Sequence, residues 1–210
     1  MPARPRQFEL LSLPGWNRAE ALRMMFRIGG RDFFDYRMSV SEWREFKHKS
    51  SLPPEVRLPL LRIGGLTIAG GLEIGRLLAR EFGLYAESTI EEAQIEEIVG
   101  YVEVLHRGLL PIIRDTLARN EKQRMRDWEE FKIDLLLPIL DVLVRRLADR
   151  PFFVSDRLTW ADVAVAEILS RFDALFDRDF LLGFPALDAH RKRVETMPGL
   201  QQTERPRSLF

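Results

Sequence analysis

The sequence contains no cysteine, only three histidines and no long apolar run, although it has 210 residues. Without cysteine there can be no disulfide, no thiolate metal site and no cysteine nucleophile. The histidines, His48, His106 and His190, are far apart in the chain, so we do not expect a clustered metal site. No apolar stretch is long enough to span a bilayer, and the N-terminal residues lack a signal-peptide core. We therefore expect a cytoplasmic protein without a membrane partner.

The charges of the chain balance, with 32 Lys and Arg residues against 32 Asp and Glu residues. A net charge of zero gives no field that would attract nucleic acid or an anionic membrane. The length and the 46% of hydrophobic residues suffice for one large or two small domains with a buried core.

The stretch 56–86 carries the clearest local pattern. Two short apolar runs, 58–61 and 66–68, lie on either side of Gly64-Gly65. Because a Gly-Gly pair supplies the positive φ angles of a two-residue turn, this pattern predicts a β-hairpin. A helical stripe follows over 72–82 and ends at a C′ glycine.

The residues before this stretch predict an alternating order of elements. Segments 8–13 and 33–38 have the composition of strands, and 17–28 has a helical stripe that Asn17 can cap. Ser41 is expected to cap a further short helix. The resulting β-α-β-α-β-β-α order is typical of thioredoxin-like domains.

From residue 89 onward the sequence predicts only helices. Thr89 and Glu92 have the spacing of a capping box, at the start of a helix that runs toward residue 120 and that Pro111 should interrupt. A second helix is expected over 122–148, bent at Pro138, and a last short helix at 197–200. We expect an α/β domain over 1–83, a linker over 84–88 and an all-helical domain over 89–210.

Thr159 and Asp162 also have capping-box spacing, immediately before a long apolar run. We expect Thr159 to be the N-cap of that helix and the Asp162 carboxylate to bind back to the helix start. Both residues are predicted to have a structural role.

Several phrases of the sequence resemble the cytosolic glutathione transferase family. They are the Arg-Ala-Glu at 18–20, LAREFGL at 78–84 and FPALDAHRKRVETMPGL at 184–200. The phrase at 78–84 is close to the wording of the sigma class, which includes haematopoietic prostaglandin D synthase and the S-crystallins. The resemblance covers nearly the whole chain. It implies a thioredoxin-like domain followed by a helical-bundle domain, glutathione as the cofactor, and a homodimer.

The resemblance places Ser12 where sigma-class enzymes have a tyrosine whose hydroxyl stabilises the glutathione thiolate. Other classes of the superfamily use a serine hydroxyl for this purpose, so Ser12 is the candidate catalytic residue. The alternative is that Ser12 is only a small polar residue at the end of a strand.

The resemblance also implies which residues would contact glutathione. Trp43 and Lys47 match positions that contact its glycyl end, and Leu58-Pro59 matches the backbone clamp, in which the family's proline is cis. Gly70-Gly71 stands where the family has a Gln-Ser pair for the γ-glutamyl carboxylate, although the helix start still offers N–H groups. Trp43 is alternatively a packing residue, and Lys47 a solvated charge.

Two more positions depart from the family pattern. Trp16 stands where the family has an arginine. Val104, one residue past Glu103, stands where the family has an acid that reaches the glutathione amino group bound by the other subunit. Each charge-assisted contact is typically worth about 1.5–3 kcal/mol. The lost contacts therefore predict a degenerate site with weak or absent glutathione binding.

The resemblance places His106 on the wall of an apolar substrate pocket, with Leu13, Leu109 and Leu110 near it. A histidine there could act as a general base or polarise a substrate carbonyl. The alternative is an amphipathic-helix residue that faces water.

Three functions follow from these patterns. The first is a non-conjugating homologue that binds a small apolar ligand or has a structural role. The second is an active glutathione-dependent transferase or isomerase that uses Ser12. The third is an enzyme whose cleft binds and converts a different small molecule. The lost contacts favour the first.

Overall fold

A computed structural model of the chain describes residues 7–201. Residues 1–6 and 202–210 lie outside the described residues. They are the first residues of the predicted α/β domain and the last residues of the predicted helical domain. The described chain forms two compact units. One runs to Leu84 and also contains the segment from Met197, and the other runs from Tyr85 to Thr196. No helix within 7–201 is both long and apolar enough to cross a membrane.

The first unit contains a four-stranded sheet and three helices. Its elements are β1 (Phe8–Ser12), α1 (Ala19–Ile28), β2 (Phe33–Arg37), α2 (Val40–Lys49), β3 (Leu60–Ile63), β4 (Leu66–Ala69) and α3 (Gly71–Glu81). The strand order is β2-β1-β3-β4, with β1 parallel to β2 and β3 antiparallel to both β1 and β4. This confirms the predicted thioredoxin-like order, including the hairpin at Gly64-Gly65.

The inner face of the sheet is covered by α1 and the end of α3. Phe8 of β1 packs edge-on against Phe26 of α1 and against Phe82, the C-cap of α3. Phe33 of β2 stacks on Phe26 with ring centroids 4.3 Å apart. This aromatic cluster forms the core of the unit, and Gly83 ends α3 at φ 71°, as its sequence position predicts.

The second unit is entirely helical. It contains α4 (Thr89–Gly108), α5 (Leu110–Leu117), α6 (Glu121–Phe131), a π-helical turn (Lys132–Leu136), α7 (Leu137–Leu147), α8 (Trp160–Leu175), a 3-10 turn (Phe180–Gly183) and α9 (Pro185–Glu195). Every residue of α8 from Trp160 to Phe172 is buried. A helix that is buried on all sides lies at the centre of its bundle, so α8 is the central helix of this unit.

Two helix caps lie one or two residues earlier than predicted. Ser88, not Thr89, caps α4 and accepts from the Glu91 N–H, and Ser39, not Ser41, caps α2 in a capping box with Glu42. Both serines have extended backbone angles, which the N-cap position requires, whereas Thr89 and Ser41 already lie within the helices. The prediction had the right local chemistry but the wrong cap residue.

Each of the two predicted long helices changes near its proline. Pro111 lies in the first turn of α5, so the interruption expected there is confirmed. The backbone over the helix expected at 122–148 is helical from Glu121 to Leu147, with a π-helical turn between α6 and α7 immediately before Pro138. Proline has no N–H to donate to a carbonyl oxygen of the preceding turn. The π-helical hydrogen-bond pattern lies next to this missing hydrogen bond.

The prediction of a short helix at 197–200 is wrong. These residues form turns, and Gly199 adopts φ 89°. A Cβ at Gly199 would lie 2.5 Å from the Arg27 carbonyl oxygen, so the turn is pressed against the end of α1. This close contact requires glycine and a turn at this position.

Candidate functional site

Ser12 lies at the end of β1 and is almost completely buried, with 1% of its surface exposed. Its hydroxyl donates to the Leu13 carbonyl oxygen at 3.1 Å. Its Oγ atom accepts a hydrogen bond of 2.5 Å from Nη2 of Arg23 on α1. The hydroxyl is therefore bonded as a donor and as an acceptor within the protein.

Arg23 connects Ser12 to two carboxylates. Its Nη1 donates to Glu20 at 3.0 Å, and its Nε lies 3.0 and 3.1 Å from the two Asp35 carboxylate oxygens. The Arg23 side chain is 0% exposed and that of Glu20 is 3% exposed, whereas Asp35 is more accessible and also pairs with Arg37. A buried arginine needs such partners, because an uncompensated charge in the interior costs several kcal/mol.

Lys47, a predicted contact for the glycyl end of glutathione, is bonded to the chain itself. Its Nζ donates to the carbonyl oxygens of Pro54 and Val56, at 2.6 and 2.8 Å. The same ammonium lies 5.8 Å from the centre of the Trp43 ring, which stacks on Phe46. Lys47 thus holds the loop that leads into β3, and Trp43 is half-buried against it.

The Leu58–Pro59 peptide bond is cis, and the structure brings this dipeptide next to the start of α3. The Pro59 carbonyl oxygen accepts from the N–H of Gly70, the N-cap of α3, at 3.1 Å. Neither Gly70 nor Gly71 has a side chain to offer a ligand. The Glu73 carboxylate lies against Gly70, close enough that a Cβ there would clash with it. A negative charge at the helix start is favourable for the helix, and it opposes the binding of a second carboxylate.

His106 lies near the end of α4, in the second unit, and contacts Arg171 of α8. Arg171 Nη2 is 2.8 Å from His106 Nδ1, and Arg171 Nε is 3.5 Å from Glu167. Because guanidinium can only donate, Nδ1 must accept, which assigns the neutral tautomer with its proton on Nε2. Arg171 and Glu167 are buried, so His106 belongs to a polar cluster at the edge of the helical core.

The three leucines predicted beside His106 differ in exposure. Leu109 is buried as the C-cap of α4, whereas Leu110 is 59% exposed at the start of α5. Leu13 lies in the first unit, where its carbonyl oxygen accepts from Ser12 and Asn17. Leu109 and Leu110, although adjacent in sequence, therefore do not share one environment.

Thr159 and Asp162 form a capping box at the start of α8. Asp162 accepts from the Thr159 N–H and hydroxyl, each at 2.8 Å, and from the Phe153 N–H at 2.9 Å. The Asp162 carboxylate also lies 2.9 Å from Nε2 of His190, on α9, and both side chains are 0% exposed. This network ties the central helix to the preceding loop and to α9.

The sequence interpretation did not identify Arg23, Asp35 or Arg171. Arg23 is three residues after Glu20, a helical ion-pair spacing that the sequence does show. Its contacts with Ser12 and Asp35 depend on how α1 packs on the sheet, and no local signal predicts them. Within residues 7–201, no group of acidic or histidine side chains is arranged to hold a metal ion.

Comparison with known proteins identifies the fold. The family model described as "Glutathione S-transferase, C-terminal domain" matches residues 109–202. The chain is 33% identical to Glutathione S-transferase 2 of Caenorhabditis elegans over 155 residues, which are 72% of this chain and 80% of that protein. It is 32% identical to Hematopoietic prostaglandin D synthase of Gallus gallus over 187 residues, 87% of each chain.

Solved structures agree with these sequence matches. The crystal structure of the monomeric glutathione S-transferase Na-GST-3, from the hookworm Necator americanus, superposes with a TM-score of 0.83 at 26% identity. The match covers 93% of this chain and 95% of that one. Both predicted architectures, the thioredoxin-like part and the helical part, are thereby confirmed. The chain belongs to the glutathione transferase family.

Proposed function

We propose that this chain is a sigma-class-like member of the family with an eroded glutathione site, and that it is non-conjugating or weakly active. Its role would be to bind a small apolar molecule or to serve a structural purpose. The observation that carries the proposal is the bonding of Ser12. To stabilise a glutathione thiolate, the hydroxyl would have to leave the Leu13 carbonyl while still fixed by Arg23.

Lys47 and the start of α3 support the same conclusion. Lys47 is bonded to two backbone carbonyls, so it would have to release the loop before β3 to bind the glycyl carboxylate. At α3, Gly70 and Gly71 supply only backbone N–H groups, and Glu73 places a carboxylate beside them. Each lost charge-assisted hydrogen bond removes about 1.5–3 kcal/mol of binding free energy.

The alternative is an active glutathione-dependent transferase or isomerase, and one observation favours it. A charged donor that bonds to a hydroxyl oxygen polarises the O–H group and makes it a stronger donor. Arg23 has this position relative to Ser12.

Calorimetric titration with glutathione, extended to millimolar concentration, tests the proposal. We expect no measurable binding below millimolar glutathione, and no conjugation of a generic electrophile above the uncatalysed rate. The Ser12→Ala variant is measured in parallel, with its unfolding curve as the control for folding. Micromolar binding, together with turnover that Ser12→Ala abolishes, would establish the alternative.

The assembly and location of the protein belong to the same proposal. We expect a homodimer, because the sigma-class resemblance implies one, and a cytoplasmic location without nucleic-acid or membrane partners. Sedimentation equilibrium tests the dimer directly. A monomer at micromolar concentration would contradict it.

A further inference from the structure

The outer face of the sheet, opposite α1 and α3, carries a cavity that does not involve the predicted glutathione residues. By the register of the strands, Glu9, Arg62 and Thr67 lie in one row across β1, β3 and β4. Phe8 and Ser12, each two positions from Leu10, point to the inner face, whereas Glu9 points outward. The row therefore lies on the other side of the sheet from Ser12, toward the Gly64-Gly65 end.

Helix α2 lies over this row without closing it. None of the side chains of α2 is buried, and its Phe46, which lines the same cavity as the row, is only partly buried. The space between them is a cavity of about 750 Å³ that is lined by Phe46 and Leu52 as well as by Glu9, Arg62 and Thr67. Cavities of about 300–1,000 Å³ are the usual size of small-molecule sites.

The lining combines an apolar wall with a charged floor. Phe46 and Leu52 provide the apolar surface, and Gln7 and Thr67 add polar groups. On the floor, Arg62 Nη1 is 3.2 Å from Glu9 Oε2, with the Arg62 side chain 49% exposed. A guanidinium has five N–H donors and binds carboxylates in a fork, so the ion pair with Glu9 leaves Arg62 donors for a second carboxylate.

We propose that the cavity beneath α2 is a ligand site for a planar aromatic carboxylate, bound through Arg62 with its ring against Phe46. The carboxylate takes donors of Arg62 that Glu9 does not use, and the apolar body fills the space that α2 leaves open. The site goes beyond the proposed function, because it shares no residue with the predicted glutathione contacts. Its occupation would fix α2, the helix that also carries Trp43 and Lys47.

The test uses 2-naphthoate as the probe, followed by two-dimensional NMR of the backbone amides of the full chain. We expect saturable shifts at Gly64, Gly65 and Thr67. The uncharged analogue 2-naphthamide has the same shape and should bind about tenfold or more weakly, the size expected for a lost charge-assisted bond. Added glutathione should not displace the naphthoate, which separates this site from the glutathione site.

Two arginine variants decide the role of Arg62. Arg62→Gln removes the proposed anchor, and we expect its affinity for naphthoate to fall to that of naphthamide. Arg44→Gln removes the same charge from an exposed position on α2 and should leave the affinity unchanged. The Glu9–Arg62 pair is partly exposed and worth little stability, so both variants should fold. Naphthoate shifts away from residues 64–67, or equal binding by both variants, would overturn the proposal.

Discussion

Arg23 of α1 donates to the Oγ atom of Ser12 across 2.5 Å in the interior of the first unit. The same guanidinium is bonded to Glu20 and Asp35, so one buried cation organises three side chains from two strands and a helix. Ser12, the candidate catalytic residue, is thus part of a structural network. The first prediction follows from this arrangement.

Replacing Arg23 should destabilise the protein far more than replacing Arg37, although both arginines pair with Asp35. Arg23→Gln removes the buried cation from Glu20, which keeps only the more exposed Arg27 at 3.3 Å, and breaking a buried pair costs about 3–5 kcal/mol. Arg37 is 39% exposed, so Arg37→Gln should cost at most about 1 kcal/mol. Chemical denaturation measures both values, and equal losses in the two variants would show that Arg23 is not a buried anchor.

Replacing Gly70 and Gly71 by the Gln and Ser of the family pattern should affect stability at Gly70 but not at Gly71. A Cβ at Gly71 would have Arg18 Cβ, 4.0 Å away, as its nearest neighbour, so Gly71→Ser should fold normally and offer one hydroxyl to a carboxylate. Gly70 has φ 98°, a conformation that costs other residues about 1–3 kcal/mol. Gly70→Gln should therefore lower the unfolding free energy by this amount.

Calorimetry and denaturation of the two glycine variants check this prediction. Gly71→Ser should raise the affinity for glutathione by roughly tenfold if its hydroxyl reaches the ligand carboxylate. Gly71→Ala is the control without a hydroxyl. A Gly70→Gln variant as stable as the unmodified chain would contradict the predicted strain.

Two glycines of α4 should give opposite results when changed to alanine. A Cβ at Gly108 would lie 2.6 Å from the ring of Phe131, which is 5% exposed, so Gly108→Ala should overpack this contact and cost about 1–3 kcal/mol. A Cβ at Gly100 would have nothing within 4 Å. Gly100→Ala should therefore stabilise the helix by roughly 0.5–1 kcal/mol.

Thermal unfolding of the two variants measures this difference with the sequence of α4 otherwise unchanged. We expect the midpoint to fall for Gly108→Ala and to rise for Gly100→Ala. Should both variants melt at the same temperature, the close approach of Phe131 to α4 would be disproved.

The ion pair between Asp177 and Lys132 should make stability depend on acid pH. Burial raises the pKa of the Asp177 carboxyl, but its hydrogen bonds with Lys132 at 3.0 Å and with backbone N–H groups outweigh burial and lower it. A carboxyl whose pKa is lower in the folded state stabilises the protein above its unfolded pKa of about 3.9. This contribution is lost as the pH falls through the folded-state value.

Asp177→Asn should accordingly lower the unfolding free energy at pH 7 by about 1 kcal/mol, the upper range for a partly exposed pair. The difference from the unmodified chain should shrink toward pH 2. Asp141→Asn, an exposed carboxylate on α7, controls for the change in net charge. A difference that stays constant from pH 7 to pH 2 would mean that the Asp177 carboxyl does not titrate differently in the folded state.

Local sequence patterns predicted the elements that depend on neighbouring residues. The Gly64-Gly65 turn, the stop at Gly83 and the break at Pro111 were correct, because the φ preferences of glycine and the missing N–H of proline act within a few residues. The caps at Ser39 and Ser88 were missed by one or two positions, since several polar residues stand together before each helix and only the backbone angles distinguish the N-cap. The π-helical turn before Pro138 was not predicted, because proline allows a bend, a break or a change of helix type.

The sequence by itself determined the order of elements, the helix and turn signals and the resemblance to the glutathione transferase family. The bonding of Ser12, Lys47 and His106 was decided only by the tertiary structure. Their partners Arg23, Val56 and Arg171 are 9 to 65 residues away along the chain. A candidate site residue is defined by which groups its polar atoms contact. Those contacts depend on how helices pack on strands and on one another, which no local pattern records.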